Sequence, residues 1–301
     1  MKQTKGQVIE LAQKHGLMLK EDSLSFNESG VDFLVVLAAD KSGEKWVLRI
    51  PRREDVIPST VEEKRALEFI EPRISVQAPK WTVYSDELIA YKQLTGVPAG
   101  TADKDAKAYV WEIDEKNLPD QFTETLAKAM VSLHRVDSQE AKRAGLSVES
   151  AEEARESMKK RMEKVKSEFG VSPELWERWQ SWLANDALWP KNVGLTHGDL
   201  HAGHILIDEN DRVTGFIDWT EASVTDISID FVSHYMVFGE EALEELIMHY
   251  EKAGGYVWPQ MKKHIIERTA SYAVPIAELA MKSGLEEYHE MAKQVLGVNE
   301  S

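Results

Sequence analysis

The sequence predicts an α+β fold of two lobes, a small one built on an antiparallel sheet and a larger, mainly helical one. Three observations carry this. Within the first 94 residues, β-branched and aromatic strand runs alternate with single helical stretches. A Gly/Pro break follows at T-G-V-P-A-G, residues 95–100, and beyond it apolar residues recur mostly at helical spacing. A chain of 301 residues has room for two such lobes with a cleft between them. The expected division is residues 1–94 and 95–301.

Residues 6–15 read as a short helix. In residues 24–51 two strands flank the turn D-K-S-G-E, a hairpin signature, and N-E-S-G-V-D before them supplies a polar turn with Gly30. Ser59 and Glu62 make an S-x-x-E capping box after Pro58, which predicts a helix from there to about Glu71. Pro79 to Tyr84 and Glu87 to Leu94 read as two more strands. Past the break, Leu126, Met130 and Leu133 predict a core-facing helix over 122–134. Residues 149–168 are strongly charged with few large apolar groups, the pattern of a solvated helix. Trp176, Trp179 and Leu183 give residues 172–187 a wide apolar face. Helical patterns at 239–253, 258–282 and 284–295 close the chain, the first ended by Ala253-Gly254-Gly255.

Composition narrows the function classes. The net charge of −16, with 36 basic and 52 acidic residues and no basic run, argues against nucleic acid and anionic membrane as partners. With no cysteine, disulfides and thiolate zinc sites are excluded. No apolar run approaches the roughly 20 residues of a membrane span, and the N-terminus lacks a signal-peptide core. The expectation is a cytoplasmic, monomeric protein.

The densest chemistry lies in T-H-G-D-L-H-A-G-H, residues 196–204, which offers His197, Asp199, His201 and His204 as possible metal ligands. The strands I-L-I and V-T-G-F-I follow, separated by D-E-N-D-R. A hairpin turning near Asn210 pairs residues whose numbers sum to about 420, which brings His204 beside Asp218 at its open end. A histidine and an aspartate at a strand mouth form a divalent-cation site, and Asp199 lies in the loop that feeds it. Zinc hydrolysis is the first rival, but H-x-D-x-H-x-x-H is neither H-E-x-x-H nor a Cys/His spacing.

At this point a family resemblance appears. H-G-D-L-x-x-x-H followed by I-D-W resembles the catalytic loop and metal-binding segment of the aminoglycoside-phosphotransferase-type kinases, relatives of the protein kinases. The resemblance implies a protein-kinase-like two-lobed fold, with Asp199 as the base and His204 and Asp218 as ligands of Mg²⁺. A carboxylate that deprotonates the attacking hydroxyl beside a cation that absorbs phosphate charge is what phosphoryl transfer needs. The resemblance extends over about residues 25–235. W-V-L-R-I-P-R resembles the strand of the phosphate-pairing base, with Arg49 where most relatives have lysine, and Glu63 stands where the helix glutamate pairs with it. Gly30 falls on a glycine-poor nucleotide loop, and Tyr91, Lys92 and Gln93 fall at the hinge. D-I-S-I-D-F resembles the segment that buttresses the catalytic loop, with Asp226 as a helix N-cap and Asp230 as a clamp that is also a candidate substrate contact. His197 is expected to hold the loop. His201 is left open between bystander and supporting group, and His134 reads as a core or cap histidine.

His204 in place of the usual asparagine is a softer donor than Mg²⁺ prefers, which implies weaker binding or good acceptance of Mn²⁺. Together with S-Y-A-V-P-I-A-E-L-A near the C-terminus, these motifs resemble the macrolide 2′-phosphotransferases. That resemblance implies transfer of the γ-phosphoryl group of GTP, or ATP, to the 2′-hydroxyl of the macrolide sugar desosamine. Desosamine carries a cationic dimethylamino group beside that hydroxyl. Met236, Phe238, Tyr272, Val274 and Pro275 are the expected wall for the lactone ring. The alternatives are an aminoglycoside or small-metabolite kinase of the same fold, or a catalytically silent nucleotide-binding protein.

Overall fold

Strand alternation organises the first lobe. The computed structural model describes residues 3–28, 32–53, 56–103 and 108–298. Helix α1 (Lys5–Lys14) precedes strands β1 (Ser25–Asn27), β2 (Phe33–Ala39) and β3 (Lys45–Pro51), then helix α2 (Ile57–Ile70) and strands β4 (Trp81–Tyr84) and β5 (Ile89–Lys92). The five strands form an antiparallel sheet in the order β1-β2-β3-β5-β4. Successive side chains point to opposite faces. Leu34, Val36, Trp46, Leu48 and Ala90 therefore pack with Val8 and Ala12 of α1, while Phe33, Val35, Val47, Arg49 and Tyr91 face a cleft. The expected hairpin is in register from Phe33–Pro51 to Ala39–Lys45.

The second lobe begins on β6 (Val97–Pro98), which pairs with β10 (Ile205–Ile207), itself paired with β11 (Val213–Phe216). Between them come the hairpin β7 (Gly100–Asp103) and β8 (Ala108–Trp111), helices α3 (Asp120–His134), α4 (Ser138–Arg143), α5 (Ala151–Phe169) and α6 (Pro173–Ala184), and strand β9 (Gly194–Thr196). Strand β12 (Ser223–Thr225) pairs with β9, and helices α7 (Ile229–Lys252), α8 (Met261–Thr269), α9 (Ala273–Ser283) and α10 (Glu286–Leu296) end the chain. The main core joins α3, α7, the small sheets and the inner side of α2, through Ala66, Leu67, Phe69 and Ile70. A second core gathers α5, α6, α9 and α10 around Trp179 and Trp182. No described helix is long and apolar enough to cross a membrane.

Several elements depart from expectation. Helix α2 begins at Ile57 with Pro58 in its first turn, so Ser59 lies inside the helix and not at its cap. The charged α5 is only partly solvated, because Ala154, Met158, Met162 and Val165 recur on one face and are buried. The pattern at 258–282 divides into α8 and α9 across a 3₁₀ turn at Ala270–Tyr272. Helix α7 starts ten residues before the 239–253 pattern and kinks at Gly239, whose φ is 86°. The β7–β8 hairpin was not expected at all.

Candidate active site

The loop from His197 to His204 leaves β9 and enters β10, and its underside is fully wired. Asp230, buried at the start of α7, accepts the backbone N–H of His197 on Oδ2 at 2.9 Å and that of Gly198 on Oδ1 at 2.8 Å. His134 Nε2 donates to the same Oδ2 at 3.0 Å and holds its own orientation through Nδ1 and the Tyr250 hydroxyl at 2.8 Å. Burial pushes the Asp230 carboxyl up, but the His134 hydrogen bond and the histidines around it outweigh this and hold it below the ordinary aspartate range. His197 donates from Nε2 to Ile217 O at 3.0 Å and accepts the Asp199 N–H on Nδ1 at 3.3 Å, with burial pushing its pKa down. It is a neutral scaffold group. Gly198 is required here: its φ is +88°, and a Cβ would stand 2.5 Å from Glu221 O.

Above this frame the Asp199 side chain projects at 53% exposure. His204 donates from Nδ1 to Asp199 O at 2.9 Å, which leaves the lone pair of Nε2 directed to Asp218 Oδ2, 3.7 Å away. Hairpin geometry produces this meeting. Ile205 pairs with Phe216 and Leu206 with Gly215 before a bulge, so the next residues outward are His204 and Ile217, whose N–H reaches His204 O at 3.0 Å. Asp218 takes the left-handed conformation, φ 64°, uncommon for a residue with a Cβ. Burial pushes its carboxyl up, but His204, Arg49 and the Thr220 hydroxyl (2.9 Å) together bring it below the usual range.

These two donors, 3.7 Å apart, are the pair that would hold a divalent cation. Asp199, His201 and His204 also bring donor atoms within 4.8 Å of one another. His201, however, accepts the Gly203 N–H on Nδ1 at 3.0 Å, so its Nε2 carries the proton and has no lone pair for a metal. Its ring lies against that of His204, centroids 3.8 Å apart and planes tilted by 35°, and its pKa is pushed down to about 4, chiefly by burial. The geometry makes His201 a wall behind His204.

The facing lobe closes a cleft of about 470 Å³. Arg49 Nη1 donates to Glu63 Oε1 at 2.6 Å, and its guanidinium lies 4.4 Å over the Phe33 ring. Glu63 is almost fully buried, so an uncompensated charge there would be costly, and Arg49 supplies the compensation. Phe33, Val35, Val47, Leu206 and Ile217 give the cleft two apolar walls suited to a flat base. Tyr91 and Gln93 also line it, although the Gln93 N–H is spent on Lys45 O. Lys92 does not point there. One step along the strand, its side chain emerges on the opposite face and pairs with Glu44 at 2.7 Å. Gly30 lies outside the described residues.

A model of the phosphotransferase enzyme family matches residues 23–264. The chain belongs to that family. It is 43% identical over 297 residues to the uncharacterized protein YcbJ of Bacillus subtilis (strain 168), covering 99% of this chain and 97% of that one. Among solved structures, a macrolide 2′-phosphotransferase type I matches with a TM-score of 0.89 at 39% identity over the whole of both chains. Macrolide 2′-phosphotransferase MphH from Brachybacterium faecium, solved as the apoenzyme, matches with a TM-score of 0.91 at 33% identity over 98% of both. Structures that share only the fold, at 17–20% identity, carry GDP, ATP or ADP.

Within this phosphotransferase the acceptor side differs most from expectation. Asp230 is buried beneath the loop with both oxygens engaged, so it is a clamp and not a substrate contact. Asp226 is likewise buried. It accepts the Ser228 N–H at 3.0 Å, the His264 Nε2–H at 2.7 Å and an Arg268 N–H at 2.8 Å, which ties α8 to the turn before α7 instead of capping that helix. Val274 is fully buried in the second core, whereas Met236 and Tyr272 are half exposed and Pro275 is exposed. Phe238 is partly covered by Trp111, with ring centroids 5.5 Å apart. The hairpin supplies what periodicity missed. Tyr109 stacks on Trp111 (5.0 Å) at the loop's edge, and burial, then Asp199 and Tyr272, push its phenol up. Glu221, part of the run R-V-T-G-F-I-D-W-T-E-A, comes within electrostatic reach of Asp199 through the turn after Asp218.

Proposed function

We propose that this phosphotransferase moves the γ-phosphoryl group of GTP or ATP onto the 2′-hydroxyl of the desosamine sugar of a macrolide. The observation that carries the reading is the partition of one loop. Its backbone is held at Asp199 from both sides, by His197 Nδ1 and His204 Nδ1, while the Asp199 carboxylate itself is left half exposed beside His204. Asp199 is the group placed to take the proton of the acceptor hydroxyl as its oxygen attacks the γ-phosphorus and the nucleoside diphosphate leaves. His204 and Asp218 are the residues that would hold Mg²⁺, or Mn²⁺, which when bound offsets charge on the phosphate oxygens. Arg49, anchored by Glu63, directs the rest of its fork at the same phosphates. The apolar walls of the cleft receive the base. The macrolide as acceptor is supported by the full-length likeness to two macrolide 2′-phosphotransferases and by the half-exposed apolar side chains Met236 and Tyr272.

The test is a phosphorylation screen of erythromycin and kanamycin, each with GTP and with ATP, read by mass spectrometry of the acceptor. Phosphate on erythromycin at the 2′ position is the expected product. Phosphorylated kanamycin with erythromycin untouched would overturn the substrate assignment in favour of an aminoglycoside.

A further inference from the structure

The joint between the lobes is held from behind by Gln77. This residue lies in the segment that leads from α2 to β4, and its backbone belongs to the second lobe. Its N–H reaches Thr214 O and its carbonyl accepts the Phe216 N–H, both at 2.9 Å, a parallel bridge opposite Gly215 on β11. From there the side chain spans to Thr95, where the chain passes from β5 toward β6. Gln77 Oε1 accepts the Thr95 N–H at 3.0 Å, and Nε2 donates to Thr95 Oγ1 at 2.7 Å and to Thr214 O at 3.1 Å. The amide fits only this way round, because its oxygen meets a donor and its nitrogen meets a carbonyl. The Thr214 hydroxyl completes the clasp by donating to Thr95 O at 2.9 Å. Both backbone groups of Thr95 are thus taken by side chains. Beside it Gly96 has φ +100°, and a Cβ there would stand 2.6 Å from Ile207 O and from Thr214 Oγ1, so the crossing runs flush against the β10–β11 hairpin.

Both ends of the cleft hang on that hairpin. Gln93, Leu94 and Gly96 line the cleft at the crossing, and His204 and Asp218 line it where the hairpin opens. A nucleoside triphosphate is a ligand with two ends, a base and a chain of phosphates. It gains fully from the second contact only when the spacing of the two subsites already matches its own. We propose that Gln77 is a positioning residue that fixes this spacing, by tying the crossing at the base end to the hairpin that carries His204 and Asp218. Thr95 is exposed, so water would serve its N–H and carbonyl nearly as well. What the clasp adds is a fixed position, at little gain in stability. The proposal goes beyond the choice of acceptor and rests on the reading of the cleft as the nucleotide site.

The experiment compares full-length wild type with Gln77→Ala and Thr214→Val. Each is titrated with the β,γ-imido analogues of GTP and ATP in the presence of Mg²⁺, by calorimetry, and with guanosine and adenosine alone, by ligand-observed NMR. Gln77→Ala should weaken binding of the triphosphate about fivefold and leave that of the nucleoside, which meets one end only, within about twofold. Thr214→Val removes a single hydroxyl and should shift the triphosphate about twofold in the same direction. Hydrogen exchange of the ligand-free proteins gives a reading independent of nucleotide and metal: the peptide that contains the Thr95 amide should exchange faster in Gln77→Ala. Unchanged triphosphate affinity in Gln77→Ala, or an equal loss for triphosphate and nucleoside, overturns this role alone. Failure of wild type to bind either triphosphate overturns the reading of the cleft and this role with it. A misfolded Gln77→Ala is recognised by its melting curve, and Thr214→Val then decides, since an unshifted triphosphate affinity there overturns the role.

Discussion

The two sides of the loop from His197 to His204 obey opposite rules. Below it, Asp230, His134, Tyr250 and His197 form a closed chain in which the donors named above each find an acceptor. Above it, the Asp199 and Asp218 side chains are half exposed, with His204 between them. A buried polar group left unmatched costs more than a matched one returns, so the underside is built for stability. The rim leaves its carboxylates in contact with solvent, with His204 and Arg49 the positive or polar groups nearest Asp218. Geometry of this kind separates two aspartates only 31 positions apart (230 minus 199) that look equally chemical in sequence.

The contrast can be broken most severely at Asp199. Asp199→Ala should lower turnover by about a thousandfold or more while nucleotide affinity moves little, since a positioned base is worth two to four orders of magnitude. Calorimetric nucleotide titration beside the transfer assay checks both halves, and retained turnover would remove Asp199 from its role. On the underside, Asp230→Asn replaces an acceptor of three hydrogen bonds by a group that presents its own donors. It should cost about 3 kcal/mol of stability, a fall in Tm of roughly 6 °C. The sign of its pH dependence follows from the depressed Asp230 pKa. The unfolded chain binds this proton at about 3.9 and the folded one at lower pH. The stabilisation is complete above that value and lost as pH falls through the folded pKa, so wild type and variant should converge in acid. Melting curves at neutral pH and below pH 4 test this, and a gap that widens in acid contradicts it. The smallest effect belongs to His204→Asn, which trades a nitrogen donor for an oxygen. Activity should fall by less than about tenfold and the rate ratio of Mg²⁺ to Mn²⁺ should rise. Complete loss of metal dependence would show that the donor pair is drawn wrongly.

What was legible beforehand was local. The loop motif and the hairpin after it are short-range patterns, and counting residues across the turn was enough to place His204 beside Asp218. Alternation along β3 likewise put Arg49 on the cleft face. The same rule applied to β5 turns Lys92 outward, which a hinge taken as three consecutive residues leaves out of account. What escaped depended on distant partners. Glu221 stands in an ordinary polar turn, and its place beside the loop depends on the Gly198 backbone it touches. The buried stripe of α5 was hidden by the charges between its four apolar positions, and the short strands of β7–β8 offered too little alternation to outweigh the helical pattern around them. Val274 and Tyr272 are two residues apart, yet the 3₁₀ turn before α9 sends one into the core and leaves the other in solvent.

His204 also gives the site a magnetic label of its own. On the metal site proposed above, its Nε2 would place a single nitrogen nucleus against a cation whose other protein ligand is oxygen. A paramagnetic ion such as Mn²⁺ held there would couple to that nuclear spin, and a spin-echo spectrum would carry its modulation. In a relative with asparagine at this position the side-chain oxygen takes the contact, and the modulation from a directly bound nitrogen is absent. On that reading the histidine would let the occupied centre be followed by its resonance alone, without crystals and without turnover.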